Sequence, residues 1–468
     1  MNKKFVVMQN QMLALALTSL STSVTSSIKK LGSAIAVIST VRYQQAAANL
    51  SLSIIRQTLS LSFFAALFAT SLSPNVLAQQ VSTVKTIHFA IANMSTAQKQ
   101  SYQHSVALFE RENPDIHVRF VTIEGNSFND IYNNLLVHKQ PIDLISWYGG
   151  HRLHNLQAAN ITASFPEQLS EQIQANFSKA SIESVSIDNA VHGLPISYYP
   201  WGFYYNKQLF QRLNIEPPKT WAEFVLALEK IKNEHITPIA IGLSEPWPAA
   251  AWFDYILLRN YAYEFYQQVV AGKISYESKE IQQVIAQWKL LVDNKYFTPS
   301  PKEFDGANML PLIVRKYAGV YLVGSFAQHR VNEAVRAQLG YFPFPKIADT
   351  AQTTEIAPIS ILSVTNASKY KAEAFKFVRF IANPEIQQRL NNTLTTLSPI
   401  KNSTFSNNEL LMMGQLSLQN ADHFSQYFDR ETPHIFAKVA KQAFAQFIVD
   451  GDAQRLTQTL EKARKAHY

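Results

Sequence analysis

The chain has 468 residues, 47% of them hydrophobic and 16% charged, with a formal net charge of +8 and no cysteine. That length suits two or three domains with sizeable cores, and the missing cysteine excludes disulfides, thiolate metal sites, thiol nucleophiles and a lipid-modified cysteine. The charge is concentrated at the start. Residues 1–78 hold six basic side chains and no acidic one, leaving 36 basic against 34 acidic beyond them, so a basic face for nucleic acid is not expected.

In chain order, Arg56 precedes an apolar run from Leu59 to Leu72, broken by Ser73-Pro74-Asn75 and followed by Val76-Leu77-Ala78. This is the pattern of a signal peptide with cleavage after Ala78, and the run is shorter than the roughly 20 residues of a membrane-spanning helix. Residues 1–55 are either sequence upstream of the true start or an unusually long leader. An uncleaved anchor over Leu59–Leu72 is the alternative to export in free form.

Beyond the leader, Lys85–Ile91 reads as a strand and Ser95–Glu112 as an amphipathic helix ended by Asn113-Pro114. His117–Ile123 is a second strand, Asn129–Lys139 a helix, and Pro141–Trp147 a third strand. This alternation predicts a parallel sheet flanked by helices. From about Pro200 a second region begins. Thr220-x-x-Glu223 is a capping box opening the helix Trp221–Asn233, with further helices around Trp252–Ala271 and Ser278–Asn294. Gly319–Val323, Leu339–Phe344 and Ile361–Thr365 read as strands, and Tyr370–Ala382 and Pro433–Tyr468 as helical. Two α/β lobes joined by more than one crossing fit this order.

The ordered motifs then become specific. Gly193-Leu194-Pro195, Tyr204-Tyr205-Asn206-Lys207-Gln208-Leu209-Phe210 and Pro217-Pro218-Lys219-Thr220-Trp221-Ala222-Glu223-Phe224 follow one another. Phe109-Glu110 with Asn113-Pro114, Pro141-Ile142-Asp143, and Asn383-Pro384-Glu385 with Gln387 flank them. Together they resemble family 1 extracellular solute-binding proteins, the maltose-binding-protein-like components of carbohydrate ABC transporters. The resemblance implies a type II-like two-lobed binding-protein fold. The first lobe would span residues 83–196 and 339–391, and the second 197–338 and 392–468. It also implies a small sugar held in the interlobe cleft by hinge closure, a permease partner in the inner membrane, no cofactor and a monomeric binder free in the periplasm. Trp247–Tyr255 (WPAAAWFDY) suggests a subgroup for monosaccharides or short oligosaccharides. One departure concerns the pocket: where some members carry Gly-x-Trp after the late strand, this chain has Gly324-Ser325-Phe326.

A sugar offers hydroxyls and apolar CH faces, so its site needs flat rings and planar polar groups on loops beyond strand ends. Trp201, at the first crossing beside Tyr199, is the foremost candidate. Trp147 ends a strand before Tyr148-Gly149-Gly150, with a packed core tryptophan as the alternative. Arg152, Glu124, Trp247, Trp252, Asp254, Ser325 and Phe326 complete the set, although Trp252 and Asp254 do not share a helix face well. Trp221 and Trp288 read as structural.

His151 and His154 share a helix spacing suited to metal, but no third ligand is evident and a surface pair is the plainer account. Glu124, Asp143 and Asp254 could be assembled into a glycosidase pair, yet no phosphate loop, nucleophile elbow or zinc-protease helix occurs. Binding is therefore expected rather than catalysis. A sensor subunit presenting sugar to a membrane kinase or chemoreceptor, and a two-domain carbohydrate-active enzyme, are the rival readings.

Overall fold

A computed structural model describes residues 84–92, 96–124, 128–139, 141–349, 353–394, 396–403 and 408–468. The expected leader and its cleavage site lie outside these residues. Among the described residues no helix is long and apolar enough to cross a membrane.

Thirteen strands are described. They are β1 Lys85–Ala92, β2 Ile116–Ile123, β3 Leu144–Tyr148, β4 Ser186–Ile187, β5 Ala190–Val191, β6 Leu194–Ser197, β7 Trp201–Asn206, β8 Thr237–Ala240, β9 Ala318–Gly324, β10 Leu339–Phe342, β11 Thr354–Ile356, β12 Ser360–Val364 and β13 His423–Ser425. The first sheet has the order β2-β1-β3-β12-β6, with β1 parallel to β2 and β3, and β12 antiparallel to β3 and β6. The second has the order β10-β7-β9-β8, in which only β8 and β9 run parallel. This is the mixed α/β, two-lobed fold that the motifs imply.

Local chemistry accounts for the helix boundaries. The helix Thr96–Glu112 stops where the Asn113 side chain donates to the Phe109 carbonyl at 2.8 Å. Thr220 and Glu223 form the capping box: the Glu223 N–H donates to Thr220 Oγ1, and the Thr220 N–H donates to Glu223 Oε2. The long C-terminal segment divides into His434–Asp450 and Ala453–His467 at Gly451, whose φ of 68° suits a residue without Cβ.

Each sheet supports its own core. Phe89, Phe109 and Phe377 pack edge to face in the first. Phe203, Trp252 and Phe444 belong to the second, with Trp288 fully buried beside Phe447. Trp221 lies at the rim of that core, stacked on Phe344 at 6.1 Å. Both tryptophans are structural, as expected.

The chain passes between the sheets at Tyr198–Pro200, again between β10 and β12, and a third time between Phe424, in the first core, and Phe428, in the second. Here one expectation needs correction. Leu339–Phe342 does not belong with the first lobe but forms the edge strand β10 of the second sheet. The physical reason is a cross-strand fit: the Tyr205 ring occupies the space a Cβ on Gly340 would need, and the Tyr341 ring does the same over Gly202. The segment after residue 391 is also divided. Leu411, Leu418 and Phe424 join the first core, whereas Phe428, Phe436 and Phe444 join the second.

Candidate functional site

Three strand ends converge on one cavity of about 360 Å³. Arg152 follows β3, Trp247 follows β8 and Phe326 follows β9, so the first and second sheets both contribute. Tyr199 and Trp201 enter from the first crossing, and Tyr427, Asp429 and Arg430 from the short helical turn Phe428–Glu431 and the residue before it. Ligands of open α/β sheets collect at such carboxyl ends. Another hollow, of about 690 Å³, lies between Pro217–Thr220 and Pro343–Lys346, but none of Arg152, Trp247 and Phe326 lines it. The smaller cavity is the better candidate because its rings and charges converge.

The aromatic wall is built edge to face. Trp201 lies 6.0 Å from Trp247, 6.0 Å from Phe326 and 5.3 Å from Tyr427, each at a steep angle. Phe326 in turn meets Tyr199 and Trp247. The Trp201 Nε1–H donates to the Tyr427 hydroxyl at 2.6 Å, and that hydroxyl shares a 2.9 Å bond with Tyr199. Burial raises the pKa of both tyrosines, so their hydroxyls stay neutral.

The polar wall is carried by the turn at Tyr427–Glu431. Tyr427 sits at a φ of 145°, outside the usual regions for a side-chain-bearing residue. The turn is fixed from below by Asp254, which is fully buried and accepts from the Phe428 N–H at 2.9 Å and from the Tyr266 hydroxyl at 3.1 Å. Glu431 accepts from the backbone N–H groups of His151 and Gln426. Burial drives the pKa of Asp254 up to about 8 and that of Glu431 up to about 7, against the hydrogen bonds each accepts. Lys441 holds Asp429 at 2.7 Å. Burial, and then the neighbouring Arg430 charge, bring the pKa of Arg152 down to about 10.

Of the ten residues expected from sequence, Arg152, Tyr199, Trp201, Trp247 and Phe326 line the cavity. The others do not. Trp147 is buried in the first core, its Nε1 donating to the Arg152 carbonyl at 3.3 Å. Trp252 turns its ring to Phe203, Phe297 and Phe344. Asp254 supports the turn from behind, and Glu124 is exposed at the end of β2 beside the Asn134 side chain. Ser325 is buried next to the wall, and its hydroxyl meets no protein partner. Tyr427, Asp429 and Arg430 were not foreseen. The only local signal is a dense run of aromatic and charged residues, Tyr427 to Glu431, just before the terminal helices.

His151 and His154 begin the helix His151–Ala158, and burial lowers the pKa of both. Among the described residues no group of three or more His, Asp or Glu is arranged to hold a metal.

The family model described as bacterial extracellular solute-binding protein matches residues 94–388. The chain belongs to that family. This solute-binding protein is 22% identical over 361 residues to the multiple sugar-binding protein of Streptococcus mutans, covering 71% of this chain and 82% of the relative. It is 23% identical over 309 residues to the melibiose/raffinose/stachyose-binding protein of Bacillus subtilis, covering 63% and 69%. An ABC transporter extracellular-binding protein of Pyrococcus horikoshii matches at 23% over 335 residues, covering 69% and 73%. Among solved structures, a bacterial solute receptor with an exclusive preference for β-D-galactopyranose superposes with a TM-score of 0.74. It has 21% identity and covers 82% of this chain and 99% of the receptor. A chitin oligosaccharide binding protein gives 0.67 at 17% identity, covering 81% and 98%. The protein is thus a solute-binding protein of the ABC sugar-transporter family, of extracellular type.

Proposed function

We propose that the protein binds a monosaccharide or short oligosaccharide in the cavity around Trp201 and delivers it to an ABC permease without chemically altering it. The observation that carries this reading is the cavity itself. Rings supply flat apolar surface, and Arg152, Asp429 and Arg430 supply planar polar groups able to make paired hydrogen bonds. Its 360 Å³ lies at the lower end of the roughly 300–1,000 Å³ usual for ligand pockets, which favours one or two sugar units.

Binding would close the lobes about the three crossings. Arg152 belongs to the first lobe and Trp247 and Phe326 to the second, so a sugar that touches all three gains contacts only when the lobes approach. The pattern ending at Ala78 supports export, and the missing cysteine supports a mature form free in the periplasm. A monomer suffices for this cycle.

Thermal denaturation of purified protein against a panel of mono- and disaccharides, followed by chromatography of the sugars, tests the reading. Saturable stabilisation with the sugar recovered intact is expected. Turnover of the sugar would replace binding by catalysis, and indifference to every sugar would remove the proposal.

A further inference from the structure

The cavity carries more positive charge than a neutral sugar requires. Arg152 and Arg430 both rest against the ring of Tyr148, at 5.2 and 4.2 Å from its centroid, and Arg430 also lies 4.9 Å from the Tyr427 ring. Both line the same cavity. The one carboxylate lining it with them, Asp429, is engaged by Lys441 at 2.7 Å. Glu431 stands behind the wall, its oxygens occupied by two backbone N–H groups. Arg152, Arg430 and Lys441 therefore face Asp429 and Glu431, an excess of one positive charge at least. Among the described residues no carboxylate lies within ion-pair range of Arg430. Burial first, and then the neighbouring Arg430 charge, lower the pKa of Arg152.

The balance of donors and acceptors points the same way. The Trp201 Nε1–H and the hydroxyls of Tyr199 and Tyr427 are engaged with one another. The polar capacity left to a ligand is dominated by the Arg430 guanidinium, whose N–H groups only donate. Neutral sugar hydroxyls want acceptors as well as donors, whereas a carboxylate only accepts and matches the guanidinium fork.

We propose that the ligand is a carboxylated sugar, a uronic acid or a short oligosaccharide ending in one, with its carboxylate on Arg430 and Arg152 and a ring face toward Trp247 and Phe326. The inference rests on the reading of this cavity as the sugar site. A single excess charge suits a monoanion, and Asp429 would repel a dianionic sugar phosphate.

Calorimetric titration of the wild-type protein with matched pairs tests it: D-galacturonate against D-galactose, D-glucuronate against D-glucose, and the monoanion cellobiouronate against cellobiose, with glucose 6-phosphate as a further arm. An acid is expected to bind about tenfold or more tightly than its neutral partner. Arg430→Gln should reduce that preference about tenfold, and Arg152→Gln serves the same end should the first variant fail to fold. A neutral sugar that binds as tightly as its acid would overturn the inference and leave the sugar reading intact. Tighter binding of glucose 6-phosphate would overturn the carboxylate in favour of a phosphate. No binding by any of the seven compounds would overturn both readings.

Discussion

The hydroxyl of Tyr427 accepts a 2.6 Å hydrogen bond from the indole of Trp201, 226 residues earlier in the chain. This contact joins the first crossing to the turn that carries Asp429 and Arg430, and Tyr199 completes it. The aromatic and polar walls of the cavity are thereby positioned by one hydroxyl.

Tyr427→Phe keeps the ring and deletes that hydroxyl. The buried Trp201 donor then has no acceptor, a loss of about 1–3 kcal/mol. A fall of that size in unfolding free energy by urea titration is expected, with sugar affinity about tenfold weaker by calorimetry. Unchanged affinity in the folded variant would detach the hydroxyl from the site.

Gly150→Ala tests the fit between the first lobe and the turn. Gly150 has a φ of 66°, and a Cβ there would stand 2.7 Å from both Glu431 Oε1 and Gln426 Cγ. With a ψ of −146° it lies in a region essentially reserved for glycine, which costs a residue with a side chain about 1–3 kcal/mol. The clash should also displace Glu431 and its neighbour Arg430, so both stability and affinity are expected to drop. A fully stable variant with native affinity would show that the loop has room to spare.

Asp254 and Glu431 make stability depend on pH. Their folded-state pKa values, about 8 and about 7, lie above the ordinary 3.8 and 4.5, so the folded protein holds their protons to higher pH than the unfolded chain. Their favourable contribution is complete below the ordinary values and is lost as pH rises through about 7 for Glu431 and about 8 for Asp254. In Asp254→Asn the amide oxygen still accepts from the Phe428 N–H, and its NH2 donates to the Tyr266 oxygen in place of the bond that Asp254 accepts from Tyr266. The melting temperature of this variant relative to wild type should therefore rise with pH between about 4 and 8 and level off above that. A constant difference across that range would contradict the buried, protonated Asp254.

Arg259 and Glu355 form a buried ion pair at the second crossing, where the guanidinium also donates to the Phe344 carbonyl at 3.1 Å. Glu355→Ala leaves that guanidinium without its counter-charge, and a loss of about 3–5 kcal/mol is expected in urea titration. A loss under about 1 kcal/mol would mean the pair is solvated in the folded state.

The order of strands and helices was legible because hydrophobic periodicity and stop signals such as Asn113-Pro114 and Thr220-x-x-Glu223 are local. The site was half legible. Trp201, Trp247, Arg152 and Phe326 each sit where a strand or crossing ends, and that position is what singled them out as candidates that the structure then brings to one cavity. Trp147 has the same kind of position, but its ring turns into the first core. Trp252 shares the helix Trp247–Asn260 with Trp247, and its side chain instead fills the space between Phe203 and Phe344. Arg430 and Asp429 were not legible, because what holds their turn is Asp254, 174 residues before Phe428. The strand β10 was assigned to the other lobe because its pairing depends on Gly202 and Gly340 admitting tyrosine rings from across the sheet.

The most direct measurement is a crystal structure of the protein grown with the sugar that stabilises it best. Density for the sugar is expected beside Trp247 and Phe326, within hydrogen-bond reach of Arg430. Sugar density elsewhere, such as in the hollow beside Pro217–Thr220 or the one lined by His151 and His154, with the Trp201 cavity empty, would contradict the assignment of the site.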